Sequence, residues 1–172
     1  MIQQIEYDSN DVEEFLKIHS SSLENKDSTT LQRLLSVQKK ISIIANIDPI
    51  DLRTIINDLK FIKYAYKDYI ITEDEISENI FFILSGECHI FSHNKKVGVL
   101  KAGATFGETA AIFNTKRNAS VICASKEMTV LSFAIKHDAI EFCAHSMALL
   151  YKNLAAQINT KLELMNEKST KK

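Results

Sequence analysis

All four glycines of the chain, Gly86, Gly98, Gly103 and Gly107, fall in one short window, and the single proline, Pro49, lies well before it. Glycine is placed where φ must be positive or where backbone must come close to something else. A window punctuated in this way, between flanks that lack glycine, predicts turn-rich β-structure enclosed by helices in chain order.

The strand signals agree. Phe61–Tyr66, Tyr69–Thr72 and the apolar run Ile80–Leu84 read as three strands, the last closed by a turn at Ser85-Gly86-Glu87. Cys88–Ser92, Val97–Leu100, Ala119–Ala124 and Met128–Ala134 follow, with His93-Asn94-Lys95-Lys96 as a polar hairpin tip. Short strands separated by turn residues at this spacing indicate a sandwich or barrel.

Helical spacing governs the flanks. Val12, Phe15, Leu16 and Ile18 form one apolar side behind a cap at Asp8 or Ser9. Leu31, Leu34, Leu35, Val37, Ile41 and Ile44 form another behind Ser28 or Thr29. Asp48 can cap a third helix, with Pro49 at its first position and Asp51 in its first turn. Ile50, Leu52, Ile55, Ile56 and Leu59 would supply its apolar face. After the strands, His137–His145 and Ser146–Lys168 are helical. In the second of these, Met147, Leu150, Leu154, Ile158, Leu162 and Met165 recur at three and four residues. Such a stripe packs either on its own domain or against a second copy of the chain.

Composition removes several classes of function. The chain has 172 residues and a formal charge of −1, so no global basic field draws nucleic acid to it. Cys88, Cys123 and Cys143 form no CxxC pair, which argues against a zinc site, an iron–sulfur cluster or a disulfide framework. They read as reduced core thiols of a cytoplasmic protein. Met1–Glu6 lacks the basic and apolar pattern of a signal peptide, and no apolar run approaches the ~20 residues of a membrane span. No His-x-His pair is present to build a metal-dependent oxygenase in a small barrel.

The most informative segment is Phe106-Gly107-Glu108-Thr109-Ala110-Ala111-Ile112-Phe113-Asn114-Thr115-Lys116-Arg117, followed by the strand-like Ala119–Cys123. It offers backbone N–H groups and one guanidinium to an anion, and one carboxylate to a hydroxyl. A phosphorylated sugar is a ligand of that kind, so the segment points to sensing rather than to catalysis. In sequence order, helices, a glycine-punctuated barrel and two further helices, with Phe106-Gly107-Glu108 and Arg117 in place, resemble the cyclic nucleotide-binding domain. The match runs from about Ile41 to Met165, and Ala104–Val121 is similar to that family's phosphate-binding cassette. Phe82-Ile83-Leu84-Ser85-Gly86-Glu87 supports it, as do Val99, Leu100 and Gly103. The chain departs from the family where Lys67, Asp74 and Ser77 stand at positions that are often glycine, and where Asn118 follows the arginine in place of a smaller residue.

The resemblance implies an α+β fold, a jelly-roll (cupin-like) β-roll with N-terminal and C-terminal helices. It divides the chain into a helical extension over 1–45, the β-roll with its flanking helices over 46–145, and a terminal helix with a frayed tail over 146–172. It implies a regulatory module that binds cAMP or cGMP and is not an enzyme, with neither cofactor nor metal. The expected ligand-binding residues are Phe106, Gly107, Glu108, Thr109, Ala110, Arg117, Asn118 and Ala119. Arg117 would clamp the cyclic phosphate, and Glu108 would accept from the ribose 2′-hydroxyl. Backbone N–H groups of Thr109 and Ala110, in a short helix expected to begin at Ala110, would face the anion, joined by those of Asn118 and Ala119. Tyr151, Asn153 and Asn159 are candidates for a cap over the base. The expected partners are a second copy through the C-terminal helix and a protein effector, with neither membrane nor DNA-binding domain. Two alternatives stay open. One is a relative of catabolite activator-type regulators without the DNA-binding domain, and the other is a β-roll that no longer binds nucleotide.

Overall fold

A computed structural model of the chain describes Gln32, Leu34, Leu35 and residues 38–170. The first expected helix and most of the 1–45 extension lie outside the described residues, as does the end of the basic tail. Two compact units are present. One comprises Asp58–Ile135 and the other the described residues of Leu31–Asn57 and Lys136–Lys172.

The first unit is a β-roll of two four-stranded antiparallel sheets. Its strands are β1 (Ile56–Ala65), β2 (Tyr69–Ile71), β3 (Asn79–Ser85), β4 (Glu87–Ser92), β5 (Lys95–Lys101), β6 (Thr105–Phe106), β7 (Ser120–Cys123) and β8 (Glu127–Ile135). One sheet has the order β1-β8-β3-β6 and the other β2-β7-β4-β5. The apolar cluster holding the roll together draws on both sheets: Ile71, Cys88, Val121 and Cys123 from one, and Phe81, Ile83, Phe106, Met128 and Val130 from the other. Fully burying a side chain of this size is worth about 1.5–3 kcal/mol. All three cysteines are free and buried. Burial pushes the Cys88 thiol up to about 12, against a smaller opposing effect of a backbone hydrogen bond at Leu100.

Turn chemistry sets the strand ends. His93 (φ 50°) and Asn94 (φ 62°) make a two-residue hairpin between β4 and β5, the left-handed pair that such a turn requires. Gly86 (φ 87°) is needed for space as well, because a Cβ there would lie 2.9 Å from the Glu127 carbonyl oxygen and 3.0 Å from the Met128 Cα. Lys67 (φ 73°) and Asp74 (φ 66°) occupy left-handed positions despite carrying a Cβ. The Lys67 turn is fixed by its surroundings, since Lys67 N donates to the Cys123 carbonyl at 3.0 Å and Cys123 N to the Asp68 carbonyl at 2.9 Å.

The second unit is helical. Helix α1 (Pro49–Ile55) starts as the sequence predicts, with Asp48 Oδ1 accepting from Ile50 N at 2.8 Å. It ends earlier than expected. Ile56 is extended (φ −92°, ψ 134°) and opens β1, so Ile56 and Leu59 belong to a strand and not to the helix. Two adjacent β-branched residues at Ile55-Ile56 make that exchange inexpensive. The helix expected over Leu31–Ile44 is interrupted: its described part ends in two 3₁₀ turns, Gln38–Lys40 and Ser42–Ile44, with Ile41 extended between them. Gln38 stabilises this arrangement by donating Nε2 to the carbonyls of Ile44 at 3.0 Å and Ile47 at 2.6 Å.

The segment expected as a helix over His137–His145 is a 3₁₀ turn, His137–Glu141, and helix α3 runs over Ala144–Thr170. Its apolar stripe is buried at Met147, Leu150 and Leu154, whereas Leu162 is 53% exposed. Ser146 Oγ donates to Asp51 Oδ2 at 2.5 Å. Among the described residues no helix is long and apolar enough to cross a membrane.

The Lys67 turn yields a direct check. Glycine should be more stable than alanine at position 67 by about 1 kcal/mol, the reverse of their ranking inside regular elements. Urea midpoints of Lys67→Gly and Lys67→Ala measure this, and an equal or reversed ranking would contradict a left-handed Lys67.

Candidate functional site

The segment singled out in the sequence folds as a strand end, a short helix and a return to the sheet. β6 delivers Phe106, which is buried against Phe81 with ring centroids 5.1 Å apart and planes 14° apart. Gly107 then turns the chain with φ 81°, and helix α2 (Glu108–Phe113) begins at once. This start lies two residues before the expected one. The physical reason is that Gly107, and not a side-chain cap, sets the entry angle. Thr109 and Ala110 therefore lie in the first turn, where backbone N–H groups have no acceptor inside the helix. Asn114 (φ 49°) closes the helix and donates its N–H to the Ala110 carbonyl.

Arg117 is the centre of the arrangement. It is charged yet 3% exposed. Its backbone is pinned by two hydrogen bonds to the β2–β3 connection: Arg117 N donates to the Glu75 carbonyl at 2.8 Å, and Asp74 N donates to the Arg117 carbonyl at 2.9 Å. The adjacent bridge Ile76–Lys116 continues this antiparallel pairing. The guanidinium donates from Nη1 to the Gly107 carbonyl at 2.5 Å, and from Nη2 to the Asn79 carbonyl at 2.6 Å and Ser77 Oγ at 3.0 Å. Its central carbon stands 6.0 Å from the centroid of the Phe81 ring, within range of a cation–π attraction. Nε is buried with no hydrogen-bond partner among the described residues. Burial pushes the Arg117 pKa down, and the neighbouring carboxylates Glu75 and Glu108 pull it back up. An arginine in this setting stays protonated.

Glu108 is 4% exposed and opens α2, where the positive end of the helix dipole suits its charge. Gly107 cannot be replaced cheaply. A Cβ there would lie 2.8 Å from Arg117 Nη1 and 3.1 Å from the Asn79 carbonyl oxygen, in addition to the strain of a positive φ.

Five of the expected residues, Phe106, Gly107, Glu108, Thr109 and Ala110, thus run contiguously from β6 into α2, and Arg117 joins them through its bond to the Gly107 carbonyl. Asn118 is exposed and Ala119 half-buried, just beyond the arginine. The cap candidates have other work within the helical unit. Tyr151 Oη pairs with His137 Nδ1 at 3.1 Å, Asn153 Nδ2 donates to the carbonyls of Ile43 at 3.2 Å and Ala45 at 3.1 Å, and Asn159 Nδ2 donates to Glu163 Oε1 at 2.7 Å. Sequence reading missed three groups around Arg117. Asn79 acts through its carbonyl, which residue type does not reveal. Phe81 is one of two adjacent phenylalanines, and only strand register separates them. Ser77 stood out only as a departure from a position that is often glycine.

Residues 61–144 match the sequence model of the cyclic nucleotide-binding domain family. They belong to the cyclic nucleotide-binding domain family. Over 87 residues the chain is 34% identical to a cGMP-dependent protein kinase of Plasmodium berghei, a stretch covering 51% of this chain and 10% of the kinase. With cGMP-dependent protein kinase 2 of Homo sapiens the identity is 24% over 147 residues, or 85% of this chain and 19% of the kinase. The chain therefore spans a small fraction of the length of these curated relatives. Among solved structures, a domain described as PKAR CBD2 bound to Sp-2Cl-cAMPS superposes with a TM-score of 0.59 at 18% identity, covering 84% of this chain and 95% of that one. This likeness shows the β-roll fold with its C-terminal helix. All eight expected site residues lie inside the family match.

In this cyclic nucleotide-binding domain, Gly107→Ala should lower stability by about 1–3 kcal/mol, because strain and a clash with Arg117 act together. Gly98→Ala is the control. Its Cβ would meet Ile90 Cδ1 at an ordinary 3.5 Å, so denaturant midpoints should show little change there.

Proposed function

We propose that the chain senses a cyclic nucleotide, cAMP or cGMP, as a regulatory binding module and not as a catalyst. One observation carries the reading. A buried guanidinium, adjoining the first turn of a helix and a buried carboxylate, keeps one N–H with no acceptor among the described residues. Buried donors are almost always paired, so an orphan on a charged group marks a place where an anion would be welcome.

In this reading Arg117 holds the cyclic phosphate, with backbone N–H groups of Thr109 and Ala110 on one side and of Asn118 and Ala119 on the other. Glu108, an acceptor when ionised, takes the ribose 2′-hydroxyl. Phe106 and Gly107 shape the approach. Both ligands stay in view, because the curated relatives described above are named for cGMP and the solved domain holds a cAMP analogue. The output is a movement of the C-terminal helical segment, sensed by a protein effector or by a second copy of the chain. A ligand drives such a movement only through its difference in affinity between two states.

A second reading draws on the same contacts. The guanidinium already has two strong carbonyl acceptors, so Arg117 can serve as a structural clamp in a β-roll that binds no nucleotide.

Calorimetry separates the two. Under the sensing reading, wild type binds cAMP or cGMP, and Arg117→Lys weakens binding by about 1–3 kcal/mol, because a planar paired donor becomes a point charge. Equal affinity in both proteins, or none in either, would remove the phosphate clamp. Glu108→Ala should reduce affinity for cyclic ribonucleotides more than for their 2′-deoxy analogues. An equal loss for both analogues would show that Glu108 does not read the sugar.

A further inference from the structure

Three acceptors receive the Arg117 guanidinium: the carbonyls of Gly107 and Asn79, and the hydroxyl of Ser77. They differ in what they can do when an anion arrives. A carbonyl oxygen only accepts, and its partial negative charge repels an anion. A hydroxyl accepts on its lone pairs and still has one proton to donate. Ser77 is thus the one member of this set that can present a donor beside the guanidinium.

Its position is fixed by backbone and not by chance. The β2–β3 connection is tied to the backbone of Arg117 at Asp74 and Glu75, and the bridge Ile76–Lys116 brings Ser77 to the next position. From there Ser77 Oγ lies 3.0 Å from Nη2, and this is the hydroxyl's one hydrogen bond among the described residues. The residue is half-buried, so it is held and still reachable. Two donors at that separation can serve the same phosphate.

We propose that Ser77 is an additional ligand-contact residue: its hydroxyl accepts from Arg117 and donates its own proton to an exocyclic oxygen of the cyclic phosphate. This rests on the sensing reading above and adds a contact that glycine, common at this position in the family, cannot make. No bond is made or broken. The hydroxyl rotor turns toward the anion, and the guanidinium keeps Oγ as its acceptor.

The test titrates wild type, Ser77→Ala, Ser77→Thr, Arg117→Lys and the Ser77→Ala/Arg117→Lys double variant with cAMP, cGMP and the Sp and Rp cyclic phosphorothioates, with thermal midpoints measured in parallel. Ser77→Ala should weaken the cyclic nucleotide roughly five- to tenfold, and Ser77→Thr should hold it within about twofold of wild type. The loss should shrink in the Arg117→Lys background, as expected for groups that share one oxygen. The ratio of Sp to Rp affinity should change about threefold or more in Ser77→Ala, because one exocyclic oxygen loses a donor. A merely structural serine would lower both diastereomers alike. Ser77→Ala binding like wild type, or an unchanged Sp to Rp ratio, overturns the Ser77 contact while the sensing reading stands on Arg117→Lys. Failure of wild type to bind either nucleotide overturns both.

Discussion

A full positive charge is held 3% exposed against β3 and the Gly107 turn, and everything local to it follows from how that charge is satisfied. Removing a guanidinium from water is expensive unless acceptors replace the lost hydration. The chain supplies them as carbonyls, and carbonyls are fixed by backbone. Gly107 must turn with a positive φ to bring its oxygen within 2.5 Å of Nη1. Asn79 must open β3 at the register that brings its oxygen to Nη2. The connection from Thr72 to Glu78 must be bonded to the Arg117 backbone for the root of the side chain to stay in place. Without the charge, none of these three constraints has a reason to coexist.

The same constraint explains the β-roll's tolerance of strain nearby. Asp74 adopts φ 66° in the connection that pins Arg117. Left-handed residues with a Cβ are unfavourable alone by roughly 1–2 kcal/mol. Here the conformation lets Asp74 N reach the Arg117 carbonyl, so local strain is offset by a bond that orients the buried ion. Strain and site occupy the same short stretch, as expected where backbone is over-determined by its surroundings.

The fold was legible in the sequence wherever one residue type has one physical use. Pro49 after Asp48 marked the start of α1, Gly86 marked the β3–β4 turn, and the run Ile80–Leu84 marked a strand buried on both faces. Boundaries failed where two uses compete. Ile56 and Leu59 fit a helical stripe and a strand equally well, and pairing with the rest of the sheet decided between them. The Leu31–Ile44 stripe gives way to two 3₁₀ turns, and Gln38 holds them from its side chain by donating to the Ile44 and Ile47 carbonyls, a contact that no apolar periodicity announces. For the site, side-chain chemistry announced Gly107, Glu108 and Arg117. Contributions made through main-chain oxygens, at Asn79 and Gly107, carry no residue signature and emerge only from the pairing of distant strands.

Under the proposed sensing role, that division bears on how the site would read its ligand. Main-chain acceptors make a buried arginine stable in the absence of any anion, which keeps the β-roll folded while it waits. They also compete with the anion for the same N–H groups. A sensor built this way gains less from each phosphate contact than an open arginine would, and more from any partner that can both release the guanidinium and greet the phosphate. In that role the weight of recognition would pass from the charge itself to the neutral donors around it, the N–H groups at the start of α2 and the hydroxyl of Ser77, whose proton can turn where a carbonyl cannot.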